Sequence, residues 1–213
     1  MTLKQKALLV CDRLEERYPD AVCSLKYSQP HELMIAGRLS AQCTDERVNI
    51  VTKELFAKYT SIEDFASAEV SDIEEIIRPC GLFKTKAASV VGMCRALLER
   101  FGGRIPDTVE ELTTLPGIGR KTANLIMGDV HHKPAVVTDT HCIRITGRLG
   151  LTKNSEPAKV EADLWKILPP ERSSDLCHRL VLFGREICRA RSPLCGECPL
   201  ADLCKGPDVK KRK

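Results

Sequence analysis

Four cysteines near the C terminus follow the spacing C-x6-C-x2-C-x5-C; they are Cys188, Cys195, Cys198 and Cys204. Four thiolates this close together in sequence can enclose one metal centre. A structural zinc site more often has two C-x-x-C pairs separated by a longer segment, whereas a compact run of staggered cysteines suits a cubane cluster. The spacing therefore favours one 4Fe-4S cluster over a zinc ion.

A second chemical motif is the glycine-rich segment LPGIGRKTA at residues 115–123. Helical apolar spacing precedes it at Leu112 and resumes after it, which predicts a helix-hairpin-helix. Gly117 and Gly119 carry no side chain, so backbone N–H groups at the start of the second helix can approach a phosphate. The alternative is a glycine-rich turn between two packed helices.

Lys121 directly follows this hairpin. The positive end of the helix and the neighbouring Arg120 both disfavour its protonated form, which makes the amine a candidate nucleophile. An ordinary lysine titrates at about 10.4, so attack also requires a group that takes the proton. Asp139 is the candidate for that group. Taken alone, Asp139 is more simply an N-cap of the following helix, and the two roles can coexist.

Composition limits the class of protein. The chain has 213 residues, 43% of them apolar, and no apolar run approaches the roughly 20 residues that a transmembrane helix needs. The N terminus does not resemble a secretory signal, so we expect a cytoplasmic protein without a membrane segment. Eleven cysteines, an odd number, argue against a complete set of disulfides. The net charge of +4 is too small to identify a partner.

The elements that must position these groups are predicted to be helices. Apolar residues from Leu3 to Leu14 recur at helical spacing before Pro19, and another stripe ends at Gly102 and Gly103. Capping-box spacing marks three further helix starts, at Ser61 with Asp64, Ser71 with Glu74 and Thr108 with Glu111.

The C-terminal part of the chain continues this pattern. Two more helical stripes flank Pro169 and Pro170, and the single strand-like stretch, AVV at 135–137, is too short for a sheet. The fold class is therefore all-α. The cysteines outside the C-terminal motif are expected to be buried free thiols: Cys11, Cys23, Cys43, Cys80, Cys94, Cys142 and Cys177.

Together the motifs resemble the endonuclease III family of base-excision DNA glycosylases across nearly the whole chain. The resemblance combines LPGIGRKTA, the Asp139-Thr140-His141 triplet and the cysteine spacing, in the family's order. It implies a two-domain helix-hairpin-helix DNA glycosylase fold. A six-helix domain would span 23–134, and an iron-sulfur cluster domain would combine 1–22 with 135–213.

The resemblance also implies an activity. The enzyme would be a monomeric bifunctional glycosylase and AP lyase that removes oxidised or damaged pyrimidines from double-stranded DNA. Lys121 matches the family's nucleophile, which forms a Schiff base and breaks the strand 3′ to the abasic site by β-elimination. Asp139 matches the catalytic carboxylate, and the four C-terminal cysteines match the cluster ligands. Binding to DNA would also place the enzyme at the nucleoid.

Several further residues are expected to bind DNA. Gln42, in LSAQCTD, matches the residue that enters the gap left by the extruded nucleotide, and Leu82, in GLF, matches a wedging leucine. The alternative for Leu82 is a core position after a helix end. Arg189 and Arg191 would meet phosphates, and the alternative is that both are solvated surface arginines. The remaining candidates are Gly117, Gly119, Arg120 and His141.

The sequence departs from the family pattern in two places. Cys43 replaces an expected alanine after Gln42, and His131 to Lys133 replace a more usual Phe-Gly. Both leave the preferred damaged base open. Among rivals, an adenine glycosylase lacks this lysine, a non-catalytic DNA-binding module needs neither Lys121 nor Asp139, and a ferredoxin fits poorly with a cluster confined to the end of a basic helical chain.

Overall fold

In the computed structural model, every regular element within residues 1–206, the part of the chain that the structure describes, is helical. This confirms the all-α prediction. The chain divides into two units. Unit 1 combines 1–23 with the segment from 133 to the C terminus, and unit 2 is the continuous segment 24–132. Residues 207–213 of the predicted cluster domain lie outside the described residues.

Unit 2 is built around one central helix, α2, in which seven successive residues from His31 to Gly37 are buried. A helix buried on nearly every face must lie in the middle of its unit. It packs against α3, α6 and α8. The helices of unit 2 are α2 (Pro30–Leu39), α3 (Asp45–Lys58), α4 (Ile62–Ser67), α5 (Val70–Ile77), α6 (Phe83–Phe101), α7 (Val109–Leu112) and α8 (Arg120–Asp129).

The packing of α2 on α8 depends on Gly37. A Cβ atom at Gly37 would lie 2.7 Å from Cγ2 of Thr122 in α8, closer than side chains pack. The missing side chain therefore brings the two helices together. This contact fixes the first turn of α8, which carries Lys121.

Unit 1 surrounds α11, which packs against both α1 and α9. The buried Nζ of Lys6 in α1 donates a hydrogen bond to the carbonyl of Leu149, the last residue of α9. The helices of unit 1 are α1 (Leu3–Arg17), α9 (Thr140–Leu149), α10 (Pro157–Trp165) and α11 (Ser173–Glu186). No helix within residues 1–206 is both long enough and apolar enough to span a membrane.

The three predicted capping boxes have different outcomes. Ser61 and Asp64 form the reciprocal box that their spacing predicts. Thr108 accepts the N–H of Glu111, but its hydroxyl also donates to the Glu111 carboxylate, 3.0 Å away. The prediction at Ser71 was wrong, because α5 already begins at Val70. The carbonyl of Glu69 accepts the first helical hydrogen bonds, which leaves Ser71 inside the helix.

The prediction for the scattered cysteines was partly wrong. All seven are outside any disulfide, and five of them are buried, but Cys23 and Cys43 are partly exposed. Cys43 is partly exposed because it follows Gln42, an exposed residue whose left-handed backbone (φ 55°) turns the chain at the surface.

Unit 2 should lose stability when its core is opened at Leu97, a fully buried residue of α6. We expect Leu97→Ala to lower the free energy of unfolding by about 2–5 kcal/mol, because the deleted methyl groups leave a cavity. Urea denaturation measures this loss. Glu99→Ala, at an exposed position of the same helix, serves as the control, and equal midpoints for both variants would contradict the described packing.

Candidate functional site

The hairpin turn between α7 and α8 requires glycine at residue 117. Its φ of +79° is a left-handed conformation that favours glycine. A Cβ atom there would also lie 2.6 Å from Nε of Arg38 and 2.8 Å from Cβ of Ser89. Both conformation and space therefore exclude a side chain at this point of the turn.

The start of α8 is open. Gly119 occupies the N-cap position and supplies no side-chain acceptor for the first N–H groups of the helix. Nothing lies within 4 Å of the position that a Cβ atom of Gly119 would occupy. Unsatisfied N–H groups at a helix start bind anions through their hydrogens and through the positive end of the helix dipole. This turn can accept a phosphate group.

Lys121 is the second residue of α8 and its side chain is exposed. Its neighbour Thr122 packs against Gly37 of α2, and this contact fixes the backbone that carries Lys121. Arg120, also exposed, begins the helix. The structure thus presents two basic side chains on the turn whose N–H groups are open.

Asp139 is the N-cap of α9, as the sequence predicted. Its Oδ1 accepts the backbone N–H of Cys142 at 2.7 Å, and the residue is half-buried. The buried segment before it is tied to α11, because Ala135 N–H donates to Ser173 Oγ and Val137 N–H donates to Cys177 Sγ, both at 3.2 Å. One carboxylate oxygen is therefore held in place while the other is left for a different partner.

Cys142, whose backbone N–H donates to Asp139, carries a neutral thiol. The Cys177 thiol and burial together raise the pKa of Cys142 well above its ordinary value. A thiolate here would repel the Asp139 carboxylate at short range. The raised pKa removes that repulsion at neutral pH.

His141 is half-buried in the first turn of α9, and its Nδ1 lies 3.0 Å from Nη2 of Arg144. Gly184 of α11 makes this possible, since a Cβ atom there would collide with the His141 ring. The side chain of His141 is therefore fixed by packing within unit 1. Its expected role in DNA binding stays a prediction.

The loop that carries the four cysteines begins on Arg148 of α9. The Arg148 guanidinium donates to Sγ of Cys188 at 3.3 Å, to the carbonyl of Arg189 at 2.8 Å and to that of Ala190 at 3.0 Å. Arg144, one turn earlier, donates to the carbonyl of Cys188. Two arginines on one helix face thus fix the start of the loop.

The end of the loop returns to the same residue. The carbonyl of Arg148 accepts the backbone N–H of Lys205, the residue after Cys204, at 3.2 Å. The N–H of Gly206 also donates to Sγ of Cys204 at 3.3 Å. Arg148 therefore holds both ends of the cysteine loop.

The donor set of this loop fits an iron-sulfur cluster. All four cysteines are half-buried and outside any disulfide, and Cys188 and Cys204 accept N–H hydrogen bonds on sulfur. Within residues 1–206, no three His, Cys, Asp or Glu side chains are grouped so that they could hold one metal ion. In a cubane each thiolate binds a different iron, so its four sulfurs need not converge on a single point.

Arg189 and Arg191 are exposed on this loop. Nε of Arg189 donates to the carbonyl of Glu186 at 3.1 Å, so part of its guanidinium is committed to the end of α11. Ser192, which follows Arg191, has a left-handed backbone with φ 49°. The contact of both arginines with phosphates stays a prediction.

Gln42 and Leu82 share an unusual backbone. Their φ values are +55° and +48°, and both side chains are exposed. A left-handed non-glycine residue costs about 1–3 kcal/mol, and such strain is often found where function requires it. Leu82 is 57% exposed, so the alternative of a core position was wrong. Gln42 and Leu82, which the family resemblance assigns to the DNA gap, are thus both exposed and both have a strained backbone.

Sequence reasoning missed the basic residues that hold these loops. Arg144 and Arg148 lie four residues apart on α9, a spacing that places them on one helix face ahead of the cysteine motif. That spacing was the available signal. Lys86 is fully buried in unit 2, and nothing in its sequence context distinguishes it from a solvated lysine.

Two family models match the chain. One describes the HhH-GPD superfamily of base excision DNA repair proteins and matches residues 35–170. The other describes the iron-sulfur binding domain of endonuclease III and matches residues 188–204, which begin and end on predicted ligands. The cysteine loop is therefore an iron-sulfur binding segment.

Similar proteins match over most of their length. Endonuclease III of Synechocystis sp. is 46% identical over 202 residues, which cover 94% of this chain and 92% of the relative. A solved non-covalent endonuclease III–DNA complex is 41% identical, with a TM-score of 0.93 and full coverage of both chains. A trapped endonuclease III–DNA covalent intermediate, an estranged-adenine complex, is also 41% identical, with a TM-score of 0.92, covering 100% of this chain and 99% of that one.

The cysteine loop should depend on Arg148 for its metal. We expect Arg148→Met to weaken iron retention about tenfold to a hundredfold, the usual effect of losing a group that orients metal ligands. Iron analysis and visible absorbance during chelator challenge measure this. Arg104→Met, at an exposed position of unit 2, is the matched control. Equal retention by both variants would show that Arg148 does not hold the loop.

Proposed function

The chain belongs to the endonuclease III family of base excision DNA repair proteins, and from that premise we propose that Lys121 and Asp139 carry the chemistry of a bifunctional DNA glycosylase and AP lyase. The observation that carries this assignment is the position of Lys121. It is exposed in the first turn of a helix whose N–H groups are open to a phosphate. A similar protein has been trapped as a covalent intermediate with DNA.

The proposed substrate is an oxidised or otherwise damaged pyrimidine in double-stranded DNA. An enzyme cannot reach C1′ of a stacked nucleotide, so the nucleotide must be turned out of the helix at a cost of a few kcal/mol. Damaged bases that stack poorly cost least. Exposed Gln42 and Leu82 are the groups proposed to occupy the space that the nucleotide leaves.

The reaction begins at the amine of Lys121. Its lone pair forms a bond to C1′ as the glycosidic C1′–N bond breaks, and the base leaves with the electrons of that bond and takes up a proton from solvent. The amine passes one proton to Asp139, which gives it to O4′ as the C1′–O4′ bond breaks, so that the ring opens to a hydroxyl and a protonated Schiff base. Removal of a proton from C2′ then expels the 3′ phosphate, and water releases the enzyme from the imine. No redox step is needed.

Asp139 is proposed as the carboxylate that receives a proton from the amine and stabilises the positive charge that develops on the sugar. Its N-cap hydrogen bond to Cys142 uses one oxygen. The other oxygen keeps its lone pairs for this work. The two roles predicted for Asp139, helix N-cap and proton acceptor, can therefore be carried out by the two oxygens of one carboxylate.

The cluster is proposed to be a single 4Fe-4S cluster held by Cys188, Cys195, Cys198 and Cys204. When bound, it cross-links the loop and thereby fixes its conformation. The chain's own Arg148 closes the ends of that loop. Exposed Arg189 and Arg191 on this loop would then meet the DNA backbone. The other groups proposed to bind DNA are the N–H groups that follow Gly117 and Gly119, and the side chains of Arg120 and His141.

The proposal includes a monomer that works in the cytoplasm on nucleoid DNA. Every side chain assigned a role lies on one chain, so no second copy is required. The free thiols fit a reducing compartment.

Lys121→Gln should separate chemistry from binding. Borohydride added during turnover on a duplex with a single oxidised pyrimidine should join wild-type protein to DNA, because it reduces the Schiff base to a stable amine. We expect the variant to bind the duplex and give no such product, since an amide cannot form the imine. Gel electrophoresis detects the product. Lys53→Gln, at another exposed lysine of unit 2, should trap normally, and equal trapping by Lys121→Gln would refute the assignment.

Asp139→Asn tests the carboxylate with little disturbance of the fold, since asparagine is an equally good N-cap. We expect the single-turnover rate to fall about 10²–10⁴-fold because the amide neither accepts the proton nor stabilises positive charge. Thermal unfolding and duplex affinity should stay near wild type. A variant that turns over at the native rate would confine Asp139 to its capping role.

A further inference from the structure

Lys86 is a fully buried lysine whose position is set by two carbonyl groups. Its Nζ donates to the carbonyl of Leu39 and to that of Cys80, both at 2.8 Å, and its exposed fraction is 0%. Leu39 ends α2, and Cys80 ends the 3-10 helix Arg78–Cys80. The carbonyls at a helix end have no partner within the helix, so one side chain completes two helix ends.

Each of these helix ends leads into an exposed loop. The loop after Leu39 covers residues 40–44 and carries Gln42, three residues from the bonded carbonyl. The loop after Cys80 covers residues 81–82 and carries Leu82, two residues from the other carbonyl. We name these the two recognition loops. Lys86 also lies one helical turn after Leu82, because its own N–H donates to the Leu82 carbonyl at 3.0 Å.

The two hydrogen bonds do not depend on the charge of Lys86. Burial lowers the pKa of Lys86 below its ordinary value. A neutral amine still has two N–H groups, one for each carbonyl. The nearby thiol of Cys80 is no counter-ion at neutral pH, because burial and Cys43 raise its pKa to about 11. The link between the recognition loops is therefore made through the carbonyls.

The two hydrogen bonds contribute both stability and position. An apolar side chain of similar length would avoid the desolvation cost of the amine, but it would leave the buried carbonyls of Leu39 and Cys80 without a partner. What an apolar side chain cannot do is hold the ends of two helices at a fixed separation. The separation matters because both loops carry a strained residue at the surface, Gln42 and Leu82.

We propose that Lys86 is a positioning residue that sets the spacing of the two recognition loops, so that Gln42 and Leu82 enter the DNA gap together. The inference rests on the proposed function and deepens it. Lys86 itself touches no DNA, since it is buried. Its effect should appear only where a duplex must be opened.

The test compares one abasic site in two settings. In the first, the abasic strand is paired with a complement that carries 2-aminopurine opposite the site. In the second, the same strand is alone, so there is no facing base and no gap to fill. Borohydride trapping rates are measured on both, and the fluorescence of 2-aminopurine reports unstacking of the facing base. The proteins are wild type, Lys86→Met and the core variant Leu97→Ala.

We expect Lys86→Met to lower the trapping rate on the duplex by about tenfold to a hundredfold, the usual effect of misplacing groups by about an ångström. The rate on the single strand should not change, and the 2-aminopurine signal on the duplex should be reduced. Leu97→Ala, which weakens the same helix away from the loops, should change both rates by the same factor. This contrast separates positioning from a general loss of stability.

If Lys86→Met lowers the trapping rate by the same factor on the duplex and on the single strand, or does not lower it on the duplex, the inference is wrong. If wild-type protein traps neither substrate, the proposed function fails, and this inference fails with it. If Lys86→Met does not fold, Lys86→Gln, whose side-chain NH2 group can still donate hydrogen bonds, is compared with wild type on the same two substrates. An intermediate duplex defect in Lys86→Gln, again without change on the single strand, would support the proposal.

Discussion

The open N terminus of α8 is the constraint on which the rest of unit 2 depends. A helix start normally acquires a side-chain acceptor, and here Gly119 supplies none. The first N–H groups of the helix are therefore available to an anion, and DNA offers one every few ångströms along each strand. Gly117 is held against Arg38 and Ser89, so the turn before the helix cannot fold over these groups. Lys121 is placed by the same turn that would hold the phosphate.

A second principle is the use of buried basic side chains at helix ends. Lys86 completes the ends of two helices in unit 2, and Lys6 completes the end of α9 in unit 1. The half-buried Arg148 instead binds the start of the cysteine loop itself, with three donated hydrogen bonds. In the loops that Lys86 and Arg148 hold, the side chains of Gln42, Leu82, Arg189 and Arg191 stay exposed. Surfaces that must meet DNA can thus be rigid without being covered.

The sequence predicted the groups that carry distinctive chemistry. The hairpin glycines, Lys121 and the cysteine spacing are local motifs, and local motifs can be read directly from the order of residues. Asp139 was also predicted as an N-cap, since its position before a helical stripe is a local feature. The error at Ser71 shows the limit of such spacing, because α5 begins at Val70 and its first hydrogen bonds go to the carbonyl of Glu69, so Ser71 lies inside the helix.

Long-range contacts could not be predicted. Lys86 reaches a carbonyl 47 residues away in sequence, and Arg148 bonds the loop 40 to 42 residues later. No periodicity reports such contacts. The left-handed backbone of Leu82 likewise turns an apolar residue outward against its usual preference for the core.

Mapping the reduced cross-link to one residue tests the central claim most directly. Wild-type protein would be trapped on an abasic duplex with borohydride, digested with protease and nuclease, and sequenced by tandem mass spectrometry. The account predicts that the sugar remnant lies on the side-chain nitrogen of Lys121. A remnant on the N-terminal amine or on any other lysine would contradict it, because the chemistry would then not come from the helix whose start the hairpin keeps open.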